Sequence, residues 1–493
     1  MIDNTRYDYI IVGAGVGGLS AAVYLAQAGY SVLVLEQHYK PGGYTHSFTR
    51  KGCTFDSAVR VVAGAKGNGL LSKMLEKMCI NDLECLELDN VYTAVYPELT
   101  VHVKAGVEGL INSYSNSFPD DKNDIIRLAE EMSNIYYETI SLLENDNPIA
   151  VFSDSLYSKY INVPFITFLE KFVKNERLRY CLQAMCGYFG TSPKDGSAAY
   201  FSYAIMSFFI EGTYYIKGSF QKLSLRMVDE LEKNGGKILF NSAVKKILCD
   251  IDSNEAYGVE LNTGKQYCAA EVIYNGDFNR LRNELVGEEF FPNRYLKRCS
   301  QINVAMSAFE VFIITDLDMR KSSLSHETFV YDLYSYTDVY EAHKSKKQGK
   351  MDIHGISLAC PTLEDSSLCS EGEHLLIIST MFGFMIEENW DKVKQNYTNK
   401  LLEFAEKIVP NLRNHILYLE AATPKTMNRY TLNSQGSCFG WEQNYRQLQY
   451  RPKQKTPIKG LYLVGHWTEP GGGVVAAMLS GYKLANKLLK GKV

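Results

Sequence analysis

A glycine cluster directly after a short apolar run, near the start of the chain, most constrains what this sequence can fold into. The run Asp8 to Val12 (DYIIV) is almost continuously apolar, which is typical of a parallel strand buried on both faces. Gly13-Ala-Gly15-Val-Gly17-Gly18 follows, and then Leu19 to Ala28, an Ala- and Leu-rich segment with Gly29 after it. The pattern predicts a strand, a tight turn and a helix.

The glycines of this cluster predict a dinucleotide site. Gly13 makes the turn, Gly15 lets the backbone approach a pyrophosphate, and Gly18 allows close packing of helix on strand. Gly17 lies in the same turn, at the helix N-terminus that faces the phosphate charge. The next predicted strand ends at Glu36, and we expect this carboxylate to accept the hydroxyls of an unphosphorylated ribose.

Two further segments favour FAD over NAD. Pro41-Gly42-Gly43 follows Glu36, and Gly52 to Asp56 (GCTFD) comes shortly afterwards. With them the chain resembles the family of phytoene desaturases, carotenoid isomerases and retinol saturases, which are FAD-dependent oxidoreductases. The resemblance implies that the backbone of Gly42 and Gly43 runs beside the pyrophosphate and ring of a non-covalently bound FAD. The sequence has no second GxGxxG unit suited to NAD(P).

The resemblance continues in the middle of the chain. Gly212 to Leu223 (GTYYIKGSFQKL) is similar to the family's G-x-YYPxGG-x-x-x-L segment, with Ile216 replacing the usual Pro and Ser219 the second Gly. Ala243 to Ile247 predicts a strand. The resemblance implies that the backbone of Val244 in this strand meets the adenine.

The C-terminal segment resembles the family's second flavin-contacting motif. Gly460 to Gly465 (GLYLVG) predicts a strand, and Gly471-Gly472-Gly473 opens a predicted helix from Val474 to Leu489. The positive end of this helix dipole suits the flavin edge that gains negative charge on reduction. His466 stands where most flavoproteins of this type have an Asp that contacts the ribityl chain, and a purely structural role for it stays open.

These motifs predict an α/β fold, and 493 residues are too many for one ordinary core. We expect a Rossmann-type FAD-binding domain, of the amine-oxidase-like two-dinucleotide-binding-domain type, interleaved with an α+β substrate domain that has a helical part. The FAD-binding domain is predicted at 1–105, 218–280 and 456–493. The substrate domain is predicted at 106–217 and 281–455.

Charge and cysteine usage exclude other classes of protein. The formal charge is -4 and Lys and Arg are scattered, so we expect no nucleic-acid partner. The eleven cysteines have no CxxC spacing, which predicts free thiols in a reducing cytoplasm and no metal site. No apolar segment is long enough for a transmembrane helix, so any membrane contact is expected to be peripheral.

The segment Val163 to Val173 (VPFITFLEKFV) is the candidate for such a contact. It predicts a helix with Phe165, Phe168, Leu169 and Phe172 on one face and Pro164 at its first position. The stripe either packs into the core or forms a membrane-facing mouth for an apolar substrate.

The resembled family desaturates, saturates or isomerises polyenes, and its FAD motifs do not distinguish these reactions. We expect a carotenoid- or retinoid-like apolar substrate, with a quinone or another acceptor taking electrons during desaturation. The aromatic stretch Tyr188 to Tyr215 is the expected tunnel wall, with ordinary core packing as the alternative. Arg60 and His46 are the candidate catalytic side chains, and a surface or salt-bridged Arg60 is the alternative.

Two other functions remain open at this point. An amine- or amino-acid-type oxidase, or a natural-product desaturase, has the same FAD motifs. A flavin-binding scaffold without enzymatic activity is the third hypothesis.

Overall fold

The computed structural model describes residues 2–144, 155–344, 352–384 and 389–491. Two large sheets organise these residues, and several helices pack against them. The strands are β1 (Ile2–Val12), β2 (Val32–Leu35), β3 (Ser47–Arg50), β4 (Cys53–Asp56), β5 (Val62–Ala63), β6 (Cys85–Glu87), β7 (Asn90–Tyr96), β8 (Leu99–Lys104), β9 (Thr213–Ile216), β10 (Lys237–Leu239), β11 (Val244–Asp250), β12 (Glu255–Leu261), β13 (Gln266–Tyr274), β14 (Ser307–Thr315), β15 (Glu327–Tyr331), β16 (Gly355–Ala359), β17 (His374–Phe382), β18 (Ile416–Ala422) and β19 (Leu461–Leu463).

The helices are α1 (Val16–Gln27), α2 (Leu70–Lys77), α3 (Val107–Ser117), α4 (Lys122–Glu144), α5 (Leu156–Tyr160), α6 (Phe165–Phe172), α7 (Glu176–Cys181), α8 (Ala198–Ile210), α9 (Gln221–Lys233), α10 (Phe278–Arg280), α11 (Asn293–Cys299), α12 (Tyr336–Lys344), α13 (Trp390–Ala405), α14 (Pro424–Thr431) and α15 (Val474–Leu489). A π-helical turn at Leu281–Val286 continues α10.

The first sheet has the doubly wound form that the N-terminal motif predicts. Strands β10, β2, β1, β13 and β19 run parallel, and β13, β12 and β11 form an antiparallel meander. Strand β1 is almost wholly buried over its second half, because α1 and α15 cover one face of the sheet. The α/β fold, its predicted first strand, first helix and last helix are confirmed.

The second sheet has the order β18-β14-β17-β16-β15-β7-β8. Strands β7 and β8 lie before residue 105, yet β7 pairs with β15 of this sheet. These two strands therefore belong to the second sheet, although the predicted boundary at 105 assigns them to the FAD-binding domain. The boundary at 281 differs as well, since Leu281, Leu285 and Val286 pack into the core of the first sheet. The rest of the division stays a prediction.

Helix α6 faces the protein core, which contradicts the membrane-mouth hypothesis for its apolar stripe. Phe165, Phe168 and Leu169 are buried and pack with residues of α4 and α8, and Phe172 is half-buried. Pro164 is the residue before the helix and not its first residue. In the described part of the chain, none of the helices has the length and apolarity needed to cross a bilayer.

Candidate functional site

A cavity of about 550 Å³ opens at the carboxyl ends of the parallel strands. Its wall includes residues that directly follow β1, β2, β13 and β19, where ligands bind in open α/β sheets. The same cavity continues to the second sheet and to α8. One space therefore joins a glycine-lined end to a sheet-lined end.

The loop between β1 and α1 is held in place by a side chain from the end of β13. Asn275 donates from Nδ2 to the carbonyl oxygens of Gly13 (3.1 Å) and Gly15 (3.3 Å). A Cβ added to Gly15 would lie 2.9 Å from Asn275 Nδ2. Gly15 therefore has to be glycine for internal packing, in addition to the expected approach of a pyrophosphate. Both glycines line the cavity.

Two helix N-termini meet at this end of the cavity. A Cβ added to Gly17 would lie 2.9 Å from Gly465 Cα. A Cβ added to Gly481 of α15 would lie 2.2 Å from the carbonyl oxygen of Gly17, so the two helices pack closely only because both residues are glycines. At Gly18 a Cβ would lie 2.3 Å from the carbonyl oxygen of Gly13, as its predicted packing role requires. The free amides of the first turns of α1 and α15 favour negative charge in the cavity.

Glu36 lies at the cavity wall at the end of β2. Its Oε2 accepts from the amide of Ala14 (2.7 Å) and its Oε1 from the amide of His38 (2.8 Å). Burial raises the pKa of this carboxyl, and the amide hydrogen bonds oppose that rise. Each carboxylate oxygen keeps a lone pair for a further donor, so the expected ribose contact is compatible with these bonds.

Gly42 and Gly43 run beside the first glycine loop and line the cavity. The amide of Gly42 donates to Ala14 O (2.8 Å), and Gly42 and Gly15 form a parallel bridge. Gly42 has φ 122°, a conformation that disfavours any other residue. Val244 lines the cavity near Glu36, at the end where the adenine is expected.

The N-terminus of α15 forms another part of the wall, with Gly472, Gly473 and Val474 all lining the cavity. Gly473 precedes the helix with φ 104°. Tyr200 donates to the carbonyl oxygen of Gly472 (3.4 Å) and so connects α8 to this loop. The predicted glycine-opened helix start is confirmed.

His466 lines the cavity beside this loop, and its neighbours define its tautomer. Trp467 Nε1 donates to Asn433 Oδ1 (2.9 Å), which leaves Asn433 Nδ2 to donate towards His466 Nε2 (3.4 Å). Burial lowers the pKa of His466 to about 4. The ring is therefore neutral at pH 7, accepts at Nε2 and carries its proton on Nδ1.

Arg451 is a buried cation that the sequence analysis missed. Its guanidinium donates to Pro470 O (3.1 Å) and Gln443 Oε1 (3.0 Å), and Nε has no partner in the described part of the chain. Among the described residues no carboxylate oxygen lies within 4.0 Å of it. A buried guanidinium with neutral partners favours a nearby negative charge, and Gln443 and Pro470 both line the cavity.

Helix α8 gives one stripe of side chains to the cavity. Tyr200, Tyr203, Ala204, Ser207 and Phe208 are half-buried and line it at helical spacing. The intervening residues, Phe201 and Phe209 among them, are buried in the core. Part of the predicted aromatic stretch therefore lines the cavity and part packs in the core. Tyr214 and Tyr215 do not line the cavity.

The second sheet lines the opposite wall with a row of cross-strand neighbours. Glu310, Ser379, Ser357 and Phe329 are successive partners across β14, β17, β16 and β15. All four line the cavity. Three of them are polar, so this wall is not purely apolar.

Arg60 reaches this row from the loop after β4. Its Nη2 lies 2.7 Å from Glu310 Oε1, and Nη1 donates to Asp56 O (3.0 Å). Ser379 Oγ also donates to Glu310 Oε1 (3.1 Å), while Glu310 Oε2 is buried with no partner among the residues that the structure describes. Arg60 thus lines the cavity as one half of a buried ion pair, which combines the predicted site position with the salt-bridged alternative.

A second buried carboxyl lies near Arg60. Glu327 of β15 is fully buried near Tyr188 and Ser357, and within the part of the chain that the structure describes its oxygens have no close hydrogen-bond partner. Burial raises the pKa of Glu327 to about 8, although the Arg60 charge opposes the rise. The preceding His326 contacts Arg60 O through Nε2 (3.0 Å). At pH 7 the carboxyl of Glu327 therefore keeps its proton.

His46 lies outside the cavity wall, contrary to its predicted place at the active site. Its Nδ1 donates to Gly43 O (2.8 Å) and lies 3.0 Å from Ser57 Oγ. Burial lowers the pKa of His46 to about 4. A neutral ring that holds the Gly43 carbonyl fits a supporting role behind the loop.

The comparisons with known proteins agree with this site. The family model described as "Flavin containing amine oxidoreductase" matches residues 16–489. All-trans-retinol 13,14-reductase of Danio rerio is 27% identical over 93% of this chain and 82% of its own. Prolycopene isomerase 2, chloroplastic, of an Oncidium hybrid cultivar is 26% identical over 98% of this chain and 84% of its own.

A solved structure of putrescine oxidase has a TM-score of 0.70 and 17% identity, and covers 98% of this chain and 99% of its own. This likeness confirms the amine-oxidase-like fold. The matches confirm the resemblance inferred from the motifs.

Proposed function

Because the chain belongs to the flavin-containing amine oxidoreductase family, we propose that it binds FAD and acts on carbon-carbon double bonds of an apolar, carotenoid- or retinoid-like polyene. The observation that carries this proposal is the single cavity that joins the glycine-lined end to the α8 stripe and the second sheet. The names of the polyene-converting relatives support the substrate class.

The glycine-lined end fits the groups of FAD in order. Glu36 and Val244 would hold the adenosine, and the N-terminus of α1 would hold the pyrophosphate with Gly15, Gly42 and Gly43. Because Gly15 and Gly42 have no Cβ, such a ligand could approach the backbone closely at both residues. A bound flavin would supply the hydride chemistry.

The N-terminus of α15 and two side chains would surround the flavin ring and ribityl chain. The helix end and the Arg451 guanidinium both favour negative charge on their side of the cavity. His466 replaces the usual Asp as a neutral ring with a proton on Nδ1. Its Nδ1 would donate a hydrogen bond to a ribityl oxygen, whereas the carboxylate of an Asp would accept one from a ribityl hydroxyl.

The substrate would lie between α8 and the second sheet. Tyr203 and Phe208 of α8 and Phe329 of the second sheet line the cavity, and their rings would exclude water from a bound substrate. Arg60 is compensated by Glu310 and so offers little net charge to an anionic substrate. This balance fits a neutral polyene better than a free amino acid.

An amine-type oxidase is the second candidate. Glu310 Oε2 has no partner among the described residues and could accept a hydrogen bond from an ammonium group. The putrescine oxidase fold likeness is compatible with this chemistry.

One experiment separates the candidates. Anaerobic protein with photoreduced flavin is mixed with carotenoid and retinoid polyenes in detergent, and their saturation and bond geometry are followed by chromatography. We expect a change in one of the two properties, and desaturation by the oxidised protein only when a quinone or another acceptor is added. Rapid flavin reduction by putrescine or another amine, with every polyene unchanged, would overturn the proposal in favour of the oxidase.

A further inference from the structure

Two cysteines and a glutamate from distant parts of the chain meet outside the cavity. Cys53 begins β4, Cys369 follows a 3-10 turn in the connection between β16 and β17, and Glu373 directly precedes β17. One ligand atom of each lies within 4.8 Å of the other two, and Cys53 Sγ is 3.4 Å from Glu373 Oε2. We propose that these three side chains form a binding site for one divalent ion of the zinc class.

The measured sulfur-oxygen distance in this cluster fits tetrahedral coordination. Zn–S bonds of about 2.3 Å and Zn–O bonds of about 2.1 Å place the sulfur and oxygen ligands about 3.6 Å apart, and two sulfurs about 3.8 Å apart. The observed sulfur-oxygen distance of 3.4 Å is close to the first value. Thiolate and carboxylate ligands together suit a borderline-soft ion better than Mg²⁺ or Ca²⁺.

Charge and access both favour a cation here. Among the residues that the structure describes, no Lys or Arg nitrogen lies within 4.0 Å of the Glu373 carboxylate, so the three acidic groups meet without a positive partner. Cys53 is fully buried, whereas Cys369 and Glu373 are half-buried and so keep some contact with solvent. Three protein ligands leave the fourth position for water.

The bound ion would join two segments that lead to residues of the cavity wall. The β3–β4 hairpin continues through Asp56 to Arg60 in the cavity wall, and the β16–β17 connection borders the sheet that carries Ser357 and Ser379. A metal bridge would fix the hairpin against this sheet. The proposed ion would therefore act on the relative position of these two segments, and its site stands apart from the proposed flavin chemistry.

The test uses the full-length flavoprotein under reducing conditions, loaded with Zn²⁺ and dialysed. We expect about one zinc per chain by elemental analysis and an ultraviolet thiolate charge-transfer band with Cd²⁺. Cys53→Ser and Cys369→Ser should each abolish the band and the retained zinc. Glu373→Gln should weaken zinc binding by about tenfold or more while the band remains.

Cys79→Ser is the matched control, because Cys79 is the exposed thiol among the described residues and lies elsewhere. It should retain zinc like the wild type. Equal zinc retention by the folded Cys53→Ser/Cys369→Ser double variant would overturn the site as adventitious binding. A Cys53–Cys369 disulfide in air, together with no zinc retained under reductant, would also overturn it.

Discussion

At the glycine-lined end of the cavity the wall is mainly backbone, whereas at the sheet-lined end it consists of side chains from strands far apart in sequence. Gly13, Gly15 and Gly42 place peptide groups at the first surface. Glu310, Ser379 and Phe329 meet at the second only because β14, β17, β16 and β15 pair in one register. The first surface suits a ligand common to a large family, and the second can vary with the substrate.

The two ends also differ in how they hold a buried arginine. Arg60 at the sheet-lined end has Glu310 at 2.7 Å, while Arg451 near α15 has only neutral partners among the described residues. A compensated cation needs nothing from a ligand, but an uncompensated one favours an anionic partner. This difference agrees with an electron-accepting cofactor at one end and a neutral substrate at the other.

The largest expected effect is at Gly15. Gly15→Val should abolish flavin retention, since a Cβ there would lie 2.9 Å from Asn275 Nδ2 and would also block a pyrophosphate. The flavin-to-protein absorbance ratio after purification measures the loss, with circular dichroism as the folding check. Gly15→Ala combined with Asn275→Ser removes the internal collision, and flavin loss beyond that of Asn275→Ser alone would indicate a direct clash with the ligand. Wild-type flavin content in folded Gly15→Val would contradict the assignment.

The next effect tests the charge balance at the sheet-lined end. Glu310→Ala should lower the free energy of unfolding by about 3–5 kcal/mol, because it leaves the buried Arg60 unpaired. The matched control is Glu420→Ala, which breaks the surface pair with Arg50 and should cost about 1 kcal/mol or less. Denaturant unfolding of both variants measures the difference. If both variants lose the same free energy of unfolding, Arg60 has found another partner, and Glu310 is not what compensates its charge.

A smaller effect concerns the pH dependence of stability at Glu327. Its pKa is about 8 in the folded protein, against an ordinary 4.5 that we assign to the unfolded chain. Between these values the folded state binds one proton more than the unfolded state, so stability falls as pH rises, by about 1.4 kcal/mol per pH unit. Glu327→Gln should flatten this slope between pH 5 and pH 8, the range bounded by the two pKa values. An unchanged slope in unfolding curves would show that Glu327 is ionised in the fold.

The same comparison explains what could be predicted from the sequence. The glycine-lined end is encoded by short local motifs, which predict the last helix at its observed bounds and the ends of β1 and α1 to within one residue. The starts are less well predicted, since β1 begins six residues and α1 three residues earlier than expected. The row Glu310, Ser379 and Ser357 depends on the register of three strands that no local pattern fixes. Asn275 gave no local signal, because its place beside the glycine loop depends on the pairing of β13 with β1. Arg451 had no signal, since the burial of its guanidinium is a property of the folded chain alone.

The smallest expected effect is at His46, which sharpens the boundary of the glycine-lined end. His46 lies outside the cavity wall, and its neutral ring holds Gly43 O through Nδ1. His46→Asn keeps a side-chain donor near this carbonyl, so flavin retention and turnover should stay within about threefold of the wild type. His46→Phe keeps the ring but has no donor, and it should weaken flavin binding by about 1 kcal/mol because the Gly43 turn loses its support. Flavin titration of both apoproteins measures the two values. If both variants retain flavin but lose turnover by orders of magnitude, His46 acts on the substrate, and the wall of the active site extends beyond the cavity described.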